Sequence, residues 1–386
     1  MHEAANSPRT KKARVSAAPE PLPTDDVEKK SIYRLKSTFS ARENGSLTTV
    51  KISHDGTKLA VASSSGIIWV YDLVENAPSA TLMGHTKGVS AVAFSPTNSN
   101  ILASGSDDLT IRLWNVASKS SICTLKKHTY HVSALQFNSK GNVLVSSSAD
   151  ETIVVWDLAQ GRSLRTLAAH SDPVSSISLS PDDTLIASAS HDGLMRLFDT
   201  ETGQCLKTLV YNSASHGTAT ASTSEVVNFP ISNVLFSPNG KYILSSSLDG
   251  KIRLWDYMGN KVVKTYLGPD DAPISKKYNS GACFITKSAH HMVASGSDNH
   301  GLILWDLQSK AIVGRLENAA TVMDVVISDG GAVLASCTLD GTVSIYELNE
   351  EPEPNSKEEC EKSTNEESEK SANEESEKSA DEKSES

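Results

Sequence analysis

The chain is poor in cysteine, and the cysteines it has are far apart. An odd number of cysteines at long spacings, with no Cys-x-x-Cys pair, argues against a disulfide framework and against a cysteine zinc site. The pattern suits a reducing compartment, where such thiols are incidental or buried. The five are Cys123, Cys205, Cys283, Cys337 and Cys360.

Long apolar runs are also missing. No stretch approaches the roughly 18 apolar residues that a membrane-spanning helix needs. The N-terminal stretch MHEAANSPRTKKARV lacks the apolar region of a secretory leader. Aromatic residues make up only 5% of the chain, but hydrophobic residues make up 38%, enough for a substantial core. We therefore expect no membrane partner.

The body of the chain has no excess of positive charge. The formal net charge is −11, and residues 350–386 alone hold 15 acidic residues and 5 lysines. Residues 1–30 hold 6 basic and 5 acidic residues, so the part between is nearly neutral. A body without a basic balance is a poor candidate for direct nucleic-acid binding, and we expect none.

What the chain does contain is a repeated string. GSDDLTIRLWNV (105–116) returns as SSADETIVVWDL (147–158), SASHDGLMRLFDT (188–200), SSSLDGKIRLWDY (245–257), SGSDNHGLILWDL (295–307) and SCTLDGTVSIYEL (336–348). A weaker copy, ASSSGIIWVYDL, stands at 62–73, and successive aromatic anchors lie 41 to 57 residues apart. A period near 40–45 residues with an aspartate and a Trp-Asp ending is typical of a propeller.

Each copy supplies four short strands. In the second, VSAVAFS (89–95), ILASGS (101–106), TIRLWNV (110–116) and SICTLKK (121–127) are separated by turn residues. One such sheet cannot bury both faces, but seven packed radially can. We predict an all-β fold, a seven-bladed β-propeller over residues 31–348. IYRLKSTF (32–39) should pair with TVSIYEL (342–348) and close the ring with both chain ends.

An aspartate stands six residues before the aromatic anchor in several copies. A carboxylate in this setting must be hydrogen-bonded or paired. Histidines 28 or 29 residues before the anchor are the expected partners, because imidazole and indole N–H groups both donate. The predicted structural network comprises His85, Asp108, Trp114, His128, Asp150, Trp156, His170, Asp192, Asp249 and Trp255.

A His–Asp pair is also the machinery of general acid–base catalysis. Here the pair recurs in several copies without a nucleophile at a fixed offset, whereas a catalytic site is needed once. The sequence has no G-x-S-x-G, no metal-spaced His/Cys cluster and no phosphate-binding loop. We predict that the protein is not an enzyme and uses neither a cofactor nor a metal.

The two ends differ from the body. Residues 1–30 are rich in Pro and Ala, and residues 349–386 repeat a charged octet as EKSTNEES, EKSANEES and EKSADEKS. Both compositions predict disorder. PRTKKAR (8–14) fits a nuclear import signal or a merely solvated segment. Ser363, Ser371 and Ser379 each have an acid three residues on, which suggests an acid-directed kinase.

Two stretches, residues 167–209 and 237–266, contain more than the common repeat pattern, above all in HSDPVS, TGQCLKTL and SPNGKYIL. They resemble the seven-bladed WD-repeat subunit of histone H3 lysine-4 methyltransferase complexes, the Set-one/COMPASS and mixed-lineage-leukaemia type, and most closely its fungal, Swd-three-like members. The likeness covers about residues 32–348. It implies a nuclear, non-catalytic scaffold that binds a SET-domain subunit and a neighbouring WD-repeat subunit, with the histone H3 tail as a further candidate partner.

This family binds partners at the mouth of the central channel, where two phenylalanines clamp an arginine. The matching positions here are Ser133 and Gly281, which cannot sandwich a guanidinium, so stacking worth roughly 0.5–2 kcal/mol is absent. Both arginine insertion and purely structural polarity stay open. The other mouth positions suit a polar guest: Ser90, Asp107, Ser175 and Ser232, with Tyr278 nearby.

The second binding face of the family is a groove over the fifth and sixth blades, which takes an acidic, aliphatic segment of the neighbouring WD-repeat subunit. Aliphatic contact, a cation for a carboxylate and amides for main-chain bonds are all represented at the matching positions. By resemblance the groove residues here are Asn239, Tyr242, Leu254, Lys264 and Gln308, with Phe284 close by.

The segment VYNSASHGTATASTSEVVNFP (210–230) departs from the family by lengthening the connection into the fifth blade. It is rich in Ser and Thr. Three roles stay open for it: a cover over the channel, a contact with a partner, or an insertion without a function that the fold tolerates. The function has an alternative as well. Another WD-repeat adaptor, such as a ubiquitin-ligase substrate receptor or a signalling scaffold, would need the same fold, and a fold does not determine a function.

Overall fold

The computed structural model describes residues 32–40, 45–211, 229–275, 277–278, 280–286, 291–299, 301–318 and 320–349. Three predictions from the sequence lie outside these residues: the tails at 1–30 and 350–386, and most of the 210–230 segment. Within the described residues the chain forms 28 strands in seven antiparallel sheets of four strands each. The predicted all-β, seven-bladed propeller is therefore confirmed.

The blades are numbered in chain order, and the strands of each run from the inside of the ring to the outside. Blade 1 holds β2 (Leu47–Ile52), β3 (Lys58–Ser63), β4 (Ile68–Asp72) and β5 (Ala77–Leu82). Blade 2 holds β6 (Val89–Phe94), β7 (Ile101–Ser106), β8 (Thr110–Asn115) and β9 (Ser120–Lys126). Blade 3 holds β10 (Val132–Phe137), β11 (Val143–Ser148), β12 (Thr152–Asp157) and β13 (Arg162–Ala168). Blade 4 holds β14 (Val174–Leu179), β15 (Leu185–Ser190), β16 (Leu194–Asp199) and β17 (Cys205–Val210).

Blade 5 holds β18 (Ile231–Phe236), β19 (Ile243–Ser247), β20 (Lys251–Asp256) and β21 (Lys261–Tyr266), and a short 3₁₀ helix follows at Pro269–Asp271. Blade 6 holds β22 (Ala282–Ile285), β23 (Met292–Gly296), β24 (Leu302–Asp306) and β25 (Ile312–Leu316). Blade 7 holds β26 (Val322–Ile327), β27 (Val333–Thr338), β28 (Thr342–Leu348) and, outermost, β1 (Tyr33–Ser40).

Blade 7 closes the ring with both ends of the chain, as predicted. β1 pairs antiparallel with β28, from Tyr33 opposite Leu348 to Ser40 opposite Thr342. The Tyr33 hydroxyl also donates to the Gly331 carbonyl at 2.8 Å, which fixes the buried end of the strand. This pairing gives blade 7 its fourth strand, so the ring is completed by segments of the same chain.

The core consists of seven apolar clusters, each lying between two neighbouring blades. Between blades 1 and 2, for example, Ile68 and Leu82 pack against Leu102 and Trp114, all at most 2% exposed. Each buried side chain of this size contributes roughly 1.5–3 kcal/mol. Because every blade supplies half of two clusters, no blade is stable alone.

No helix within the described ranges is long and apolar enough to cross a membrane.

Candidate functional site

A central channel of about 860 Å³ runs through the ring, and its wall is made by the innermost strand of each blade. We call the end at which these strands begin the mouth. At that end the pairing of six inner strands shifts by one residue. Such a bulge re-aims the unpaired side chain. The residues at these bulges all line the channel: Thr48, Ser90, Ser133, Ser175, Ser232 and Met323.

The hydroxyls predicted at the mouth are engaged within the protein. Ser90 donates to Oδ1 of Asp107 at 2.8 Å, so this carboxylate already has a partner. Ser175 donates to the Ile231 carbonyl of the next blade at 2.6 Å. These bonds join inner strands and turns to one another, so a polar guest would have to share them.

Ser232 lines both the channel and a second, smaller space that Tyr278 also lines. Ser232 donates to the Ser246 carbonyl at 3.1 Å. Tyr278 is not part of the channel wall; together with Ser232 and Ser246 it lines a small crevice between blades 5 and 6. The structure therefore places Tyr278 at a seam between blades and not at the channel.

The clamp position Gly281 has no side chain for a definite physical reason. A Cβ built on Gly281 would lie 2.1 Å from Oδ1 of Asp324, far inside van der Waals contact. The other clamp position, Ser133, lines the same channel wall. The Asp324 carboxylate occupies the space that an aromatic ring at position 281 would need, and position 133 has only the hydroxymethyl group of serine. The mouth therefore has no aromatic clamp.

Asp324 was not predicted from the sequence, yet it joins blade 7 to blade 1 across the wall. Its Oδ2 accepts hydrogen bonds from the Thr49 hydroxyl at 2.7 Å, the Val50 N–H at 3.2 Å and the Lys51 ammonium at 2.8 Å. Burial lowers the pKa of Lys51, but Asp324 outweighs it, and the pKa is raised. We call this set the Asp324 clasp.

The predicted groove residues come together at the seam between blades 5 and 6. Tyr242, Leu254 and Phe284 belong to the apolar cluster that joins these blades. Leu254 is 4% exposed and Phe284 is 7% exposed, so both are core side chains in the free protein. Tyr242 is half-buried and presents the apolar surface of the groove.

Lys264 fastens this seam. Its ammonium donates to the carbonyls of Leu307 and Gln308, both at 2.7 Å. Lys207 does the same one blade earlier, where it donates to the carbonyls of Tyr257 and Met258 at 2.7 and 2.9 Å. An ammonium has three donors, so Lys264 retains one for a carboxylate of a partner.

The two amide residues of the groove are exposed on turns. The amide oxygen of Asn239 accepts bonds from the Ser237 hydroxyl at 2.7 Å and the Lys241 N–H at 3.1 Å. Gln308 lies on the turn between β24 and β25, where its N–H donates to Asp306 at 3.0 Å. In an antiparallel blade both turns lie at the end opposite the mouth, so the two amides share one face of the ring.

The structural network forms as predicted in blade 2. Trp114 Nε1 donates to Ser104 Oγ at 2.7 Å, and Ser104 Oγ lies 2.7 Å from His85 Nε2. An ionised carboxylate can only accept, so the proton of a neutral His85 imidazole lies on Nδ1, and Nε2 accepts the Ser104 proton. Nδ1 is 2.8 Å from Asp108 Oδ2 and donates to it. The buried carboxylate is thus satisfied by a chain of bonds that begins at an indole.

Blades 3 and 4 repeat this chain of bonds. In blade 3, His128 meets Asp150 at 2.9 Å and Ser146 at 2.7 Å, and Trp156 donates to Ser146 at 2.8 Å. In blade 4, His170 meets Asp192 at 2.9 Å and Ser188 at 2.7 Å. Phe198 stands in the place of the tryptophan and has no N–H, so the blade 4 chain begins at the serine.

The expectation that no nucleophile stands at a fixed offset was wrong, because a serine lies four residues before the aspartate in each of these sets. The order serine, histidine, aspartate is also the order of a hydrolytic triad. Ser104, Ser146 and Ser188 are all 0% exposed. A nucleophile that no substrate can reach performs no chemistry, so the arrangement is structural. Among the described residues, no group of three or more His, Cys, Asp or Glu side chains is placed to hold a metal.

Blade 5 departs from the prediction. Asp249 and Trp255 do not share one network: Trp255 donates to Ser245 at 2.9 Å, whereas Asp249 pairs with the Arg253 guanidinium. Arg253 is 3% exposed and packs over the Tyr211 ring with 3.8 Å to its centroid. A buried arginine on the same strand thus replaces the histidine, and a cation–π contact covers it.

In the remaining blades the aromatic anchor makes other contacts. In blade 6, Trp305 donates to the Leu267 carbonyl at 2.8 Å. In blade 7, the Tyr346 hydroxyl donates to Asn318 Oδ1 at 2.8 Å. In blade 1, the aromatic anchor Tyr71 stacks on Phe39 of blade 7, with 4.4 Å between the ring centroids. The polar network is therefore complete only where histidine, serine and tryptophan are all present, in blades 2 and 3.

The blade 2 network should make stability pH-dependent. Burial lowers the pKa of His85. Below about pH 6.5 this imidazole therefore takes up a proton more readily in the unfolded state than in the folded state, and the free energy of unfolding decreases as the pH decreases. Burial raises the pKa of Asp108, but hydrogen bonds from Thr110, His85 and Thr86 hold it at about 2, so a second loss comes below about pH 4.

We expect His85→Asn to flatten the pH 7 to pH 5 part of the stability curve measured by urea unfolding. One group changes the slope by at most about 1.4 kcal/mol per pH unit. His54→Asn is the matched control, because His54 also pairs with an aspartate, Asp329, but its side chain is 65% exposed and lies outside the network. Parallel curves for His85→Asn and the unchanged protein would contradict the expectation.

Four-stranded blades, ring closure by both termini and the repeated Asp–His–Ser–Trp bonding define a WD-repeat β-propeller. Within that class, the profile of the WDR5 β-propeller domain matches residues 39–347. The chain belongs to this family.

Curated relatives share shorter stretches with the chain. Polycomb protein EED of Chaetomium thermophilum is 36% identical over 93 residues, 22% of this chain and 16% of that protein. COMPASS component SWD3 of Saccharomyces cerevisiae is 33% identical over 127 residues, 30% of this chain and 39% of that protein. Coatomer subunit beta'-1 of Arabidopsis thaliana is 34% identical over 118 residues, 30% of this chain and 12% of that protein. The chain thus spans less than half the length of each of these relatives.

Proposed function

We propose that this protein is a non-catalytic scaffold subunit of a COMPASS-type histone H3 lysine-4 methyltransferase complex. It would join the catalytic SET-domain subunit to a neighbouring WD-repeat subunit and act in the nucleus on chromatin and transcription. The observation that supports this most is the WDR5-type propeller over residues 39–347 combined with the stretch shared with COMPASS component SWD3. Burial of every serine beside a His–Asp pair supports a role without catalysis.

The groove between blades 5 and 6 supports this function better than the mouth does. The mouth has lost its aromatic clamp, and Ser90 and Ser175 are bonded within the protein. The groove keeps the half-buried Tyr242 ring, a free donor on Lys264 and an exposed amide on Gln308. These groups suit an extended segment with one aliphatic and one acidic side chain.

Tyr242→Ala combined with Lys264→Glu should remove the neighbouring WD-repeat subunit from the complex. The change deletes the apolar contact and places a like charge opposite the acidic segment. We expect a loss of about 2–4 kcal/mol of binding free energy, roughly 30- to 1000-fold in affinity. Affinity purification of the tagged full-length chain with mass spectrometry, and a blot for methylated H3 lysine 4, would measure it.

The preceding seam offers a matched control. Leu185 occupies the turn position of blade 4 that Tyr242 occupies in blade 5, and Lys207 makes the same carbonyl bonds as Lys264. Leu185→Ala with Lys207→Glu carries the same charge change and loses the same kind of bonds. The partner should stay with this control. Equal loss from both variants, or no loss from the groove variant, would rule the groove out.

The relatives also favour a second candidate, an adaptor in another assembly, because they include a Polycomb protein and a coatomer subunit. The same purification separates the two. SET-domain and H3-methylating subunits among the copurifying chains would support the first function. Polycomb, coatomer or ubiquitin-ligase subunits in their place would support the second.

A further inference from the structure

The circumference of the ring carries charge of one sign. The outermost strands of the seven blades, β1, β5, β9, β13, β17, β21 and β25, contain no aspartate or glutamate, and the structure describes every residue of them. We call this surface the basic belt. Its cations are Arg34, Lys36, Arg162, Arg165, Lys126, Lys207, Lys261, Lys264 and Arg315.

Several of these cations have no counter-charge on the ring. Lys36 pairs with Glu347, Lys261 lies 4.0 Å from Asp256, and Lys207 and Lys264 donate to carbonyls. By contrast, the exposed side chains of Arg34, Lys126, Arg162 and Arg315 form no ion pair with any residue in the described part of the chain.

Edge protection explains only part of this pattern. Charged side chains on an outer strand prevent it from pairing with another sheet, and lysine is often used for that purpose. A glutamate would also prevent pairing with another sheet, so edge protection alone predicts both positive and negative side chains on the outermost strands. The complete absence of acids, in a body that is otherwise nearly neutral, indicates a negatively charged ligand that lies along the circumference.

The chain itself contains such a ligand. Residues 350–386 hold 15 acidic residues and 5 lysines, a net charge of −10 against the nine cations of the belt. The segment leaves the ring at the belt, because the Asn349 N–H donates at 2.8 Å to the carbonyl of Ile32, directly before β1. Its contour length, about 120 Å for 37 residues, is more than twice the roughly 50 Å diameter expected for a body of this size.

We propose that residues 350–386, the acidic tail, lie along the basic belt of the same molecule. Tethering at Asn349 keeps the tail at an effective concentration in the millimolar range, so weak individual charge contacts suffice. The tail then screens the belt from other polyanions and from other copies of the chain. This proposal does not depend on which complex the protein serves.

Zero-length carbodiimide coupling of the full-length chain, followed by mass spectrometry, tests the contact, because it joins carboxylates only to amines that touch them. In 0.01 M salt we expect tail glutamates to couple to Lys126 and Lys261 at least five times as often as to three exposed lysines outside the outermost strands: Lys87, Lys140 and Lys241. In 1 M salt the screening length falls from about 30 to about 3 Å, and the belt links should drop at least five-fold. Mixing ¹⁴N and ¹⁵N chains separates links within one molecule from links between two.

Charge reversal supplies a second readout. Lys126→Glu, Arg162→Glu and Arg315→Glu together should abolish links to Lys261 and increase the radius of gyration in X-ray scattering at low salt. Lys87→Glu, Lys140→Glu and Lys241→Glu make the same charge change off the belt and should do neither. Links spread evenly over all exposed lysines, links mainly to the basic cluster at 8–14, or links mainly between different chains would each overturn the proposal.

Discussion

Placing an aromatic ring at position 281 should strongly destabilise the propeller and should not restore an arginine clamp. A Cβ there meets Asp324 Oδ1 at 2.1 Å, so the carboxylate must leave the donors of β2. Loss of a buried, hydrogen-bonded carboxylate pair costs about 3–5 kcal/mol. Gly281→Phe should reach this range, and Gly281→Ala should approach it, as measured by urea unfolding of the full-length chain.

A double-mutant cycle identifies the cause. The backbone at Gly281 does not lie in the left-handed region, so alanine brings no backbone strain of its own. In an Asp324→Ala background the space is open, and Gly281→Ala should then cost less than about 1 kcal/mol. Costs that simply add would mean that Gly281 is small for a reason other than the Asp324 clasp.

Arg253→Ala should have a comparable effect on blade 5. Arg253 is 3% exposed and is the cation that faces Asp249, so its removal leaves a buried carboxylate without its charge partner. Breaking such a pair from one side costs about 3–5 kcal/mol in the free energy of unfolding. Arg253→Lys should recover little, because an ammonium can neither form the two-pronged pair nor stack flat on Tyr211.

Two controls go with this measurement. Replacing both partners, as Arg253→Met with Asp249→Leu, removes the unpaired charge, and most of the stability should return. Arg315→Ala removes an exposed arginine that has no ion pair with any described residue, and it should change stability by less than about 0.5 kcal/mol. A double variant as unstable as Arg253→Ala would show that packing and not charge is lost.

The repeated contacts were predictable from the sequence because repetition makes a local offset visible. Asp108 and Trp114 keep the same spacing as Asp150 and Trp156, and each of the two aspartates accepts the predicted hydrogen bond from a histidine. Asp249 keeps the six-residue offset to Trp255 but has no histidine partner, because Arg253, four positions further on, pairs with it. Arg196 is the residue of blade 4 that matches Arg253, and it donates to a backbone carbonyl. An arginine at this position therefore does not by itself indicate an ion pair with an aspartate.

The clasp could not be predicted because nothing local marks it. Asp324 and Thr49 are separated by 275 positions, and Asp324 lies in an otherwise apolar strand. The groove shows a related limit of residue type. By residue type, Leu254 and Tyr242 are equally suited to contact an aliphatic side chain of a partner. The packing of blade 5 against blade 6, however, buries Leu254 and leaves Tyr242 partly exposed. Burial depends on neighbouring blades that no single stretch contains.

Among the strands of the ring, β1 is synthesised first and is the last to find its neighbour. Tyr33 and its acceptor Gly331 are 298 positions apart, so at 5–20 residues per second β1 waits roughly 15–60 s for β28 to emerge. Throughout that time the backbone of β1 is unpaired on a nascent chain, where other strands compete to pair with it. Synthesis of this protein therefore includes an interval of aggregation risk near its start, and Arg34 and Lys36 are the charges on that strand that reduce it.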